Sequence, residues 1–362
     1  MKKNKIPYIV HQFLPKSDII LTKELEGGII NQTFLIRIKA NPCKQFILQQ
    51  INHSVFPDVP ALMSNLKIIT EHLHKASAQN KQSSFLQTFL YYQTIEGAYY
   101  YQHSDDTYWR LSDFIAHEDI VNPKNLKLAN EAGKLFAYFI GQLTDVDLKK
   151  INEIIPGFHD SEKYFKLFIK AVKKDKTERL NSTKEIYEEF IKFKYLIEDF
   201  IEIKKNKNIP VRLVHNDTKI DNILFDSEGH AVSVIDLDTC MPGYLMSDFG
   251  DAIRSLSNTC REDEKDVNKV SFDFKLYESF AKGFLKNVES FILPQEKENL
   301  AFFALLITYE QALRFYTDYL SGDIYYHIDY PEHNLQRTRV QLKLLNEMNS
   351  HIKAMEKLIK EF

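Results

Sequence analysis

The run Val214-His215-Asn216-Asp217-Thr218-Lys219-Ile220-Asp221-Asn222, followed by Val234-Ile235-Asp236-Leu237-Asp238, gathers the side chains best suited to chemistry in this chain. Their types suit metal-assisted phosphoryl transfer. Such a reaction needs a carboxylate to hold the attacking hydroxyl, and oxygen ligands for the magnesium ions that offset charge on the nucleotide phosphates. Asp217 can supply the carboxylate, and Asn222 and Asp236 the metal oxygens. Asp217 precedes Asn222 by five positions, the Asp-x-x-x-x-Asn interval of a kinase catalytic loop. Lys219, inside that loop, can reach the transferred phosphoryl group and offset its charge, where the plainer reading is a solvated lysine.

Spacing gives the expected geometry. Ile223-Leu224-Phe225 reads as a short buried strand, Asp226-Ser227-Glu228-Gly229 as a turn, and Ala231 to Ile235 as the returning strand. Asn222 and Asp236 are then expected directly opposite each other, with Cβ atoms roughly 5 Å apart. Asp238 shares the Asp236 face and could be a further ligand or an orienting group. His215 is expected to fix the loop through the backbone, because Asp217 already fills the base role. Each aspartate alone would read as a turn former or a strand end; the ordered set with a buried hairpin between its halves favours a site. Asp248-Phe249-Gly250 matches the protein-kinase magnesium triplet by letter but lies 26 residues after Asn222, against 14 for Asp236. The metal is therefore assigned to Asp236, and Ser247 to Arg254 reads as the capped start of a helix whose Asp248 or Asp251 holds the loop.

The nucleotide-binding end is less orthodox. Glu26-Gly27-Gly28-Ile29-Ile30-Asn31 is a glycine-poor turn between two strands, which can cradle phosphates through Gly27, Gly28 and Asn31 or serve as a plain hairpin turn. The strand Gln45 to Gln50 carries Gln49 where a kinase places its phosphate-pairing lysine. Glu71 is the candidate for that lysine's usual acidic partner.

These groups need a two-lobed scaffold, and 362 residues exceed the usual limit of a single core. Residues 19 to 51 alternate apolar and polar positions in three strand-like segments. Val59, Leu62, Leu66, Ile69 and Leu73 then switch to helical period. Further strands are expected at Phe85 to Thr94, Ala98 to His103 and Thr107 to Phe114. Ile115-Ala116-His117-Glu118 reads as a hinge whose backbone could bond an adenine edge. Beyond it, Leu128, Ala132, Leu135, Phe136, Phe139 and Leu143 form one helical face, and long helices are expected at 160–205, 271–288, 295–320 and 333–361. The expected architecture is α+β, a protein-kinase-like two-lobed fold: an antiparallel-sheet nucleotide-binding lobe over 1–116 and a larger, mainly helical catalytic and acceptor-binding lobe over 117–362.

Composition narrows the class. A net charge of −3 offers no broad basic footprint, so nucleic acid is not an expected partner. Cys43, Cys240 and Cys260 are widely spaced and lack metal-ligand pairing, which fits a reduced, cytoplasmic setting. No apolar run reaches the ~18 residues a membrane helix needs, so no membrane partner is expected. The number of subunits leaves no trace.

The motifs resemble the aminoglycoside phosphotransferase and choline kinase superfamily, whose signature is His-Gly-Asp or His-Asn-Asp, four residues, then Asn. A narrower resemblance is to N-acetylhexosamine 1-kinase-like proteins. It is carried by His215 to Lys219, Val234 to Thr239 with Met241-Pro242-Gly243, Asp248 to Arg254, Gly28 to Phe34, Phe46 to Asn52, Val55 to Asp58, Arg314 to Tyr319 and Tyr330 to Leu335. The resemblance implies an ATP- and Mg2+-dependent kinase with Asp217 as base or orienter of a sugar hydroxyl. Asn222 and Asp236 would hold the metal, and Arg314 and Tyr325 would reach the sugar. Arg314 beside the apolar run Leu300 to Tyr309 could equally form a structural salt bridge. The favoured acceptor is the anomeric hydroxyl of an N-acetylhexosamine. The alternatives are another small acceptor, such as choline, homoserine, an aminoglycoside or a different sugar, and a nucleotide-binding regulator without turnover.

Overall fold

The computed structural model describes residues 5–25, 30–79, 86–118 and 124–362. A short helix, α1 (Lys5–Phe13), precedes three strands, β1 (Ile19–Leu25), β2 (Gln32–Ile38) and β3 (Lys44–Ile51). Helix α2 (Val59–Gln79) follows, then β4 (Tyr101–Gln102) and β5 (Tyr108–Asp113). These strands form one antiparallel sheet in the order β1-β2-β3-β5-β4. Alternation assigns its faces. Phe46, Leu48, Trp109 and Leu111 turn towards α1, where Ile6, Ile9, Val10 and Phe13 complete a small apolar cluster. Ile47, Gln49, Arg110 and Ser112, one residue out of step, line a cleft.

The rest is mainly helical: α3 (Leu126–Gln142), α4 (Ser161–Lys174), α5 (Lys184–Lys192) and α6 (Tyr195–Lys205). Strands β6 (Arg212–Val214), β7 (Ile223–Phe225), β8 (Ala231–Val234) and β9 (Met241–Gly243) carry the site loops. Helices α7 (Leu245–Leu256), α8 (Phe274–Val288), α9 (Pro294–Glu298), α10 (Leu300–Ser321) and α11 (His333–Lys360) complete the chain. The expected α+β, two-lobed kinase-like architecture is therefore present.

Local chemistry accounts for several boundaries. The Asn125 side chain accepts from Leu128 N–H and caps α3, while Asp273 accepts from Lys275 and Leu276 N–H and caps α8. Gly322, at φ +100°, ends α10 in the left-handed region that glycine enters without strain. Helices α3 and α8 cross closely: a Cβ at Gly283 would lie 2.2 Å from Asn130 O.

Three expectations need correction. The single helix over 160–205 is three: Asp175 turns left-handed at φ 33° and caps α4, and Phe193, its N–H bonded back to Glu189 O, caps α5 before α6 begins. The helix over 295–320 breaks at Asn299, leaving α9 and α10. Within 86–94 no strand forms. Only Tyr91 bridges to Ser112, and the Asp113 carboxylate takes Leu90 N–H in place of a ladder partner. No helix among the described residues is long and apolar enough to cross a membrane.

Candidate active site

Strand β6 delivers His215 to Asn222 into a loop that is tied down at almost every residue. The Asp248 carboxylate accepts from His215 N–H at 2.8 Å and from Asn216 N–H at 2.7 Å. Thr218 Oγ1 donates to Asp248 O. Asp248, on the first turn of α7, thus clamps the loop as expected, whereas Asp251 pairs with Arg254, whose Nε donates to it at 2.9 Å. Burial raises the Asp248 carboxyl to about 7 although its two N–H donors favour the ionised form. Asn216 is held at φ 64°, a left-handed strain that its Nδ2 bond to Thr239 O (2.9 Å) helps to hold.

Two histidines flank the loop in opposite states. His215 is fully buried; its Nε2 donates to Ile235 O at 3.0 Å and its Nδ1 accepts from Asp217 N–H at 3.2 Å. That pattern fixes the neutral Nε2–H tautomer, and burial lowers its pKa. His159 Nδ1 faces Glu310 Oε1 at 2.8 Å and its Nε2 donates to Asn216 O at 3.0 Å. Burial opposes its charge, but the Glu310 carboxylate outweighs burial and raises its pKa. Through His159, α10 is tied to the residue before Asp217.

Asp217 accepts from Lys219 Nζ at 2.9 Å and from Asn222 Nδ2 at 3.1 Å. Burial would raise its pKa, but the Lys219 charge and the hydrogen bonds from Lys219 and Asn222 together outweigh this and hold it below the usual carboxylate range. A carboxylate so held is a weak proton sink, suited to orienting a hydroxyl whose proton leaves late in a loose phosphoryl transfer. With Nδ2 spent on Asp217, Asn222 offers Oδ1, which accepts no hydrogen bond among the described residues.

The hairpin register differs from the expectation. Ile223 pairs with Val234, and Ile235 N–H donates to Asn222 O at 2.9 Å, so Asn222 lies opposite Ile235 rather than Asp236. Asp236 is instead left-handed, at φ 61°, which breaks the strand alternation. Asn222 and Asp236 nonetheless line one cavity of about 630 Å3, with Lys219, Gln49, Arg110, Asn31, Ile115, His117 and Glu118 among its other walls. Asp217 borders it through Asn222 and Lys219. Asp236 accepts no hydrogen bond among the described residues. Burial, reinforced by Asp238, pushes its carboxyl up to about 6. Two hard oxygen donors with free lone pairs fit magnesium, which takes few protein ligands and completes its shell from phosphates and water.

Asp238 is not a third such ligand. Both its oxygens are taken, Oδ2 by Arg110 Nη2 at 3.0 Å and by Asn31 Nδ2 at 2.8 Å, and Oδ1 by Arg110 Nη1. Asn31 is correspondingly a bridge between lobes, its Oδ1 accepting Asn52 N–H at 2.9 Å. Gln49 lines the cleft and accepts from Arg110 Nε at 3.0 Å. Gly27 and Gly28 lie outside the described residues. Glu71 meets Tyr99 OH at 3.4 Å, so it is not the partner of a cleft cation. In the expected hinge, Glu118 N–H donates to Phe225 O at 2.9 Å and the His117 ring bonds Ile115 O at 2.8 Å. The sequence reading missed Arg110. In sequence it passes for an ordinary polar position, alternating with Trp109 and Leu111 as Ser112 does.

Arg314, expected to reach the acceptor, makes no ion pair among the described residues. Its guanidinium lies 5.3 Å from the Phe158 ring centre, 5.1 Å from Tyr164 and 5.9 Å from Tyr326, and Gln311 Oε1 is 3.5 Å away. The expected alternative of a salt bridge with a site aspartate is thus not what forms. Tyr325 is 65% exposed and packs edge-on to Tyr326, beside Arg314.

The sequence model of the phosphotransferase enzyme family matches residues 22–274, from within β1 to the start of α8. The chain belongs to this family. It is a phosphotransferase acting on a hydroxyl acceptor. Solved structures give the same fold at low identity. Aminoglycoside 2'-phosphotransferase-IIIa, in a GDP complex, is 11% identical with a TM-score of 0.60 over 94% of this chain and 99% of its own. The microcompartment-associated aminopropanol kinase is 15% identical at 0.58, over 97% and 98%. Choline kinase from Cryptosporidium parvum is 15% identical at 0.55, over 99% of each chain.

Proposed function

We propose that this phosphotransferase moves the γ-phosphoryl group of ATP, with Mg2+, to a sugar hydroxyl, the favoured case being the anomeric hydroxyl of an N-acetylhexosamine. One observation carries the chemistry: Asp217 is held between Lys219 and Asn222 at the edge of the cavity that Asp236 lines. Asp217 orients the acceptor hydroxyl and takes its proton as the new bond forms. Lys219 offsets charge on the moving phosphoryl group. Asn222 and Asp236 would hold magnesium, which would offset charge on the nucleotide phosphates. The sheet-side lobe, 1–116, supplies the nucleotide end and 117–362 the acceptor end.

Arg314 favours an uncharged acceptor. Its cation, which forms no ion pair among the described residues and whose nearest carboxylate, Glu310, is engaged by His159 and Ser161, would repel the ammonium groups of choline, aminopropanol or an aminoglycoside, while its Nη–H groups can donate to sugar or acetamido oxygens. Tyr325 and Tyr326 offer ring faces beside it. A reduced cytoplasmic setting suits the three unpaired cysteines.

Incubation with Mg2+ and ATP across a panel of sugars and amino alcohols tests the reading. Phosphorylated N-acetylhexosamine, sensitive to loss of the free anomeric hydroxyl, is the expected product. Product only from amino alcohols would overturn the acceptor assignment. ATP binding with no product from any acceptor would favour a regulator without turnover.

A further inference from the structure

The cleft carries a buried cation that the proposed chemistry has not used. Arg110 is 1% exposed and sits on β5 directly opposite Gln49 on β3. Three of its N–H groups are taken, Nε by Gln49 Oε1 at 3.0 Å and Nη1 and Nη2 by the two oxygens of Asp238. Its remaining Nη–H groups have no partner among the described residues, and it lines the cavity together with Asn222 and Asp236. Gln49 itself is held by donating to Thr33 Oγ1 at 3.2 Å.

Burying an ion pair in a cleft wall costs more desolvation than most pairs recover, so such a pair needs a reason to persist. Kinases of related design keep one lysine on the third strand to meet the nucleotide phosphates and pair it with a helix glutamate. Here the third strand offers neutral Gln49. The positive charge stands one strand over, and its acidic partner comes from the opposite lobe. That partner, Asp238, lies two residues beyond Asp236, in the short 3-10 turn Leu237–Thr239 that the left-handed Asp236 opens. The grip of Arg110 on Asp238 therefore also fixes the turn that aims Asp236. Asn31, just before β2, reinforces it through its own bond to Asp238.

We propose that Arg110, oriented by Gln49 and Asp238, is the residue that receives the nucleotide's inner phosphates in place of the absent strand lysine. The inference rests on the reading of the cleft as an ATP site. Bidentate guanidinium donors suit phosphate oxygens, and a pair that spans the lobes makes phosphate binding and placement of Asp236 one event.

The test uses the full chain and calorimetric binding of Mg·ADP and of adenosine. Replacing Arg110 alone would strand a buried carboxylate, so the variant is Arg110→Gln with Asp238→Asn, whose thermal unfolding is measured alongside. Its Mg·ADP affinity should fall at least tenfold while adenosine affinity stays within twofold of the parent. Adding Gln49→Lys to that background should recover most of the lost Mg·ADP affinity, since it restores a cation to the third strand. Equal loss for adenosine and Mg·ADP would assign the pair a structural role only, and unchanged Mg·ADP binding would remove it from the phosphate site. In either case the ATP reading survives. Failure of the unmodified protein to bind Mg·ADP at all would overturn both.

Discussion

Asn222, which lines the cavity, donates its side-chain amide to Asp217 Oδ2 at 3.1 Å, and its Oδ1 accepts no hydrogen bond among the described residues. One side chain thereby couples Asp217, the proposed orienter of the acceptor, to the oxygens suited to the metal. Displacing either residue moves the other, so changes at this pair should alter turnover and metal dependence together.

Removing the charge at Asp236 is expected to weaken the metal site without unfolding it, because that carboxylate supports no hydrogen bond among the described residues. Asp236→Asn should raise the Mg2+ concentration needed for half-maximal turnover by about tenfold or more, a single carboxylate being a large share of a magnesium site's protein charge. An unchanged Mg2+ profile would move the metal elsewhere.

The two loop histidines should titrate in opposite senses. His215, lowered by burial, stays neutral after the unfolded ring has taken up a proton, so its contribution to stability is present above about pH 6.5 and is lost as pH falls below it. His159, raised by Glu310, contributes fully below about pH 6.5 and loses that contribution as pH rises through its folded pKa. Nitrogen-15 spectra at neutral pH should show both ring nitrogens of His159 protonated and only Nε2 of His215. The reverse assignment would contradict the bonding described.

Asp248→Asn tests the loop clamp. The amide keeps one acceptor oxygen for two N–H donors and turns an NH2 group towards the other. A loss of about 1–3 kcal/mol in unfolding free energy is expected from the stranded donor. Stability equal to the parent would mean that the loop holds itself.

Arg314→Gln should raise the KM for a neutral sugar by about tenfold and leave the KM for ATP alone, since the change lies on the acceptor side. If cationic amino alcohols are to be accepted, this variant is where they should begin to be. A parallel rise in the ATP KM would place Arg314 outside the acceptor region.

Much of this was legible in the residues. The Asp217–Asn222 interval is local, so spacing alone brings those side chains together, and the alternation in 19–51 gave β1 to β3 because one face of that sheet is covered by α1. Long-range pairing was not legible. Nothing near Asp238 in sequence announces Arg110, 128 residues away. The hairpin register was misjudged because a left-handed aspartate at 236 is a tertiary outcome that strand periodicity does not encode. The break of the 160–205 helix at Asp175 followed from a cap that propensity ranks as an ordinary polar residue.

The most direct measurement pairs turnover with nucleotide binding for Asp217→Asn. The variant keeps an acceptor for Asn222 and Lys219 but loses the charge proposed to orient and deprotonate the hydroxyl. Its kcat should fall by about two orders of magnitude or more, with Mg·ATP affinity nearly unchanged. Near-normal turnover, or equal loss of turnover and nucleotide binding, would contradict the role given to Asp217 and with it the account of this site.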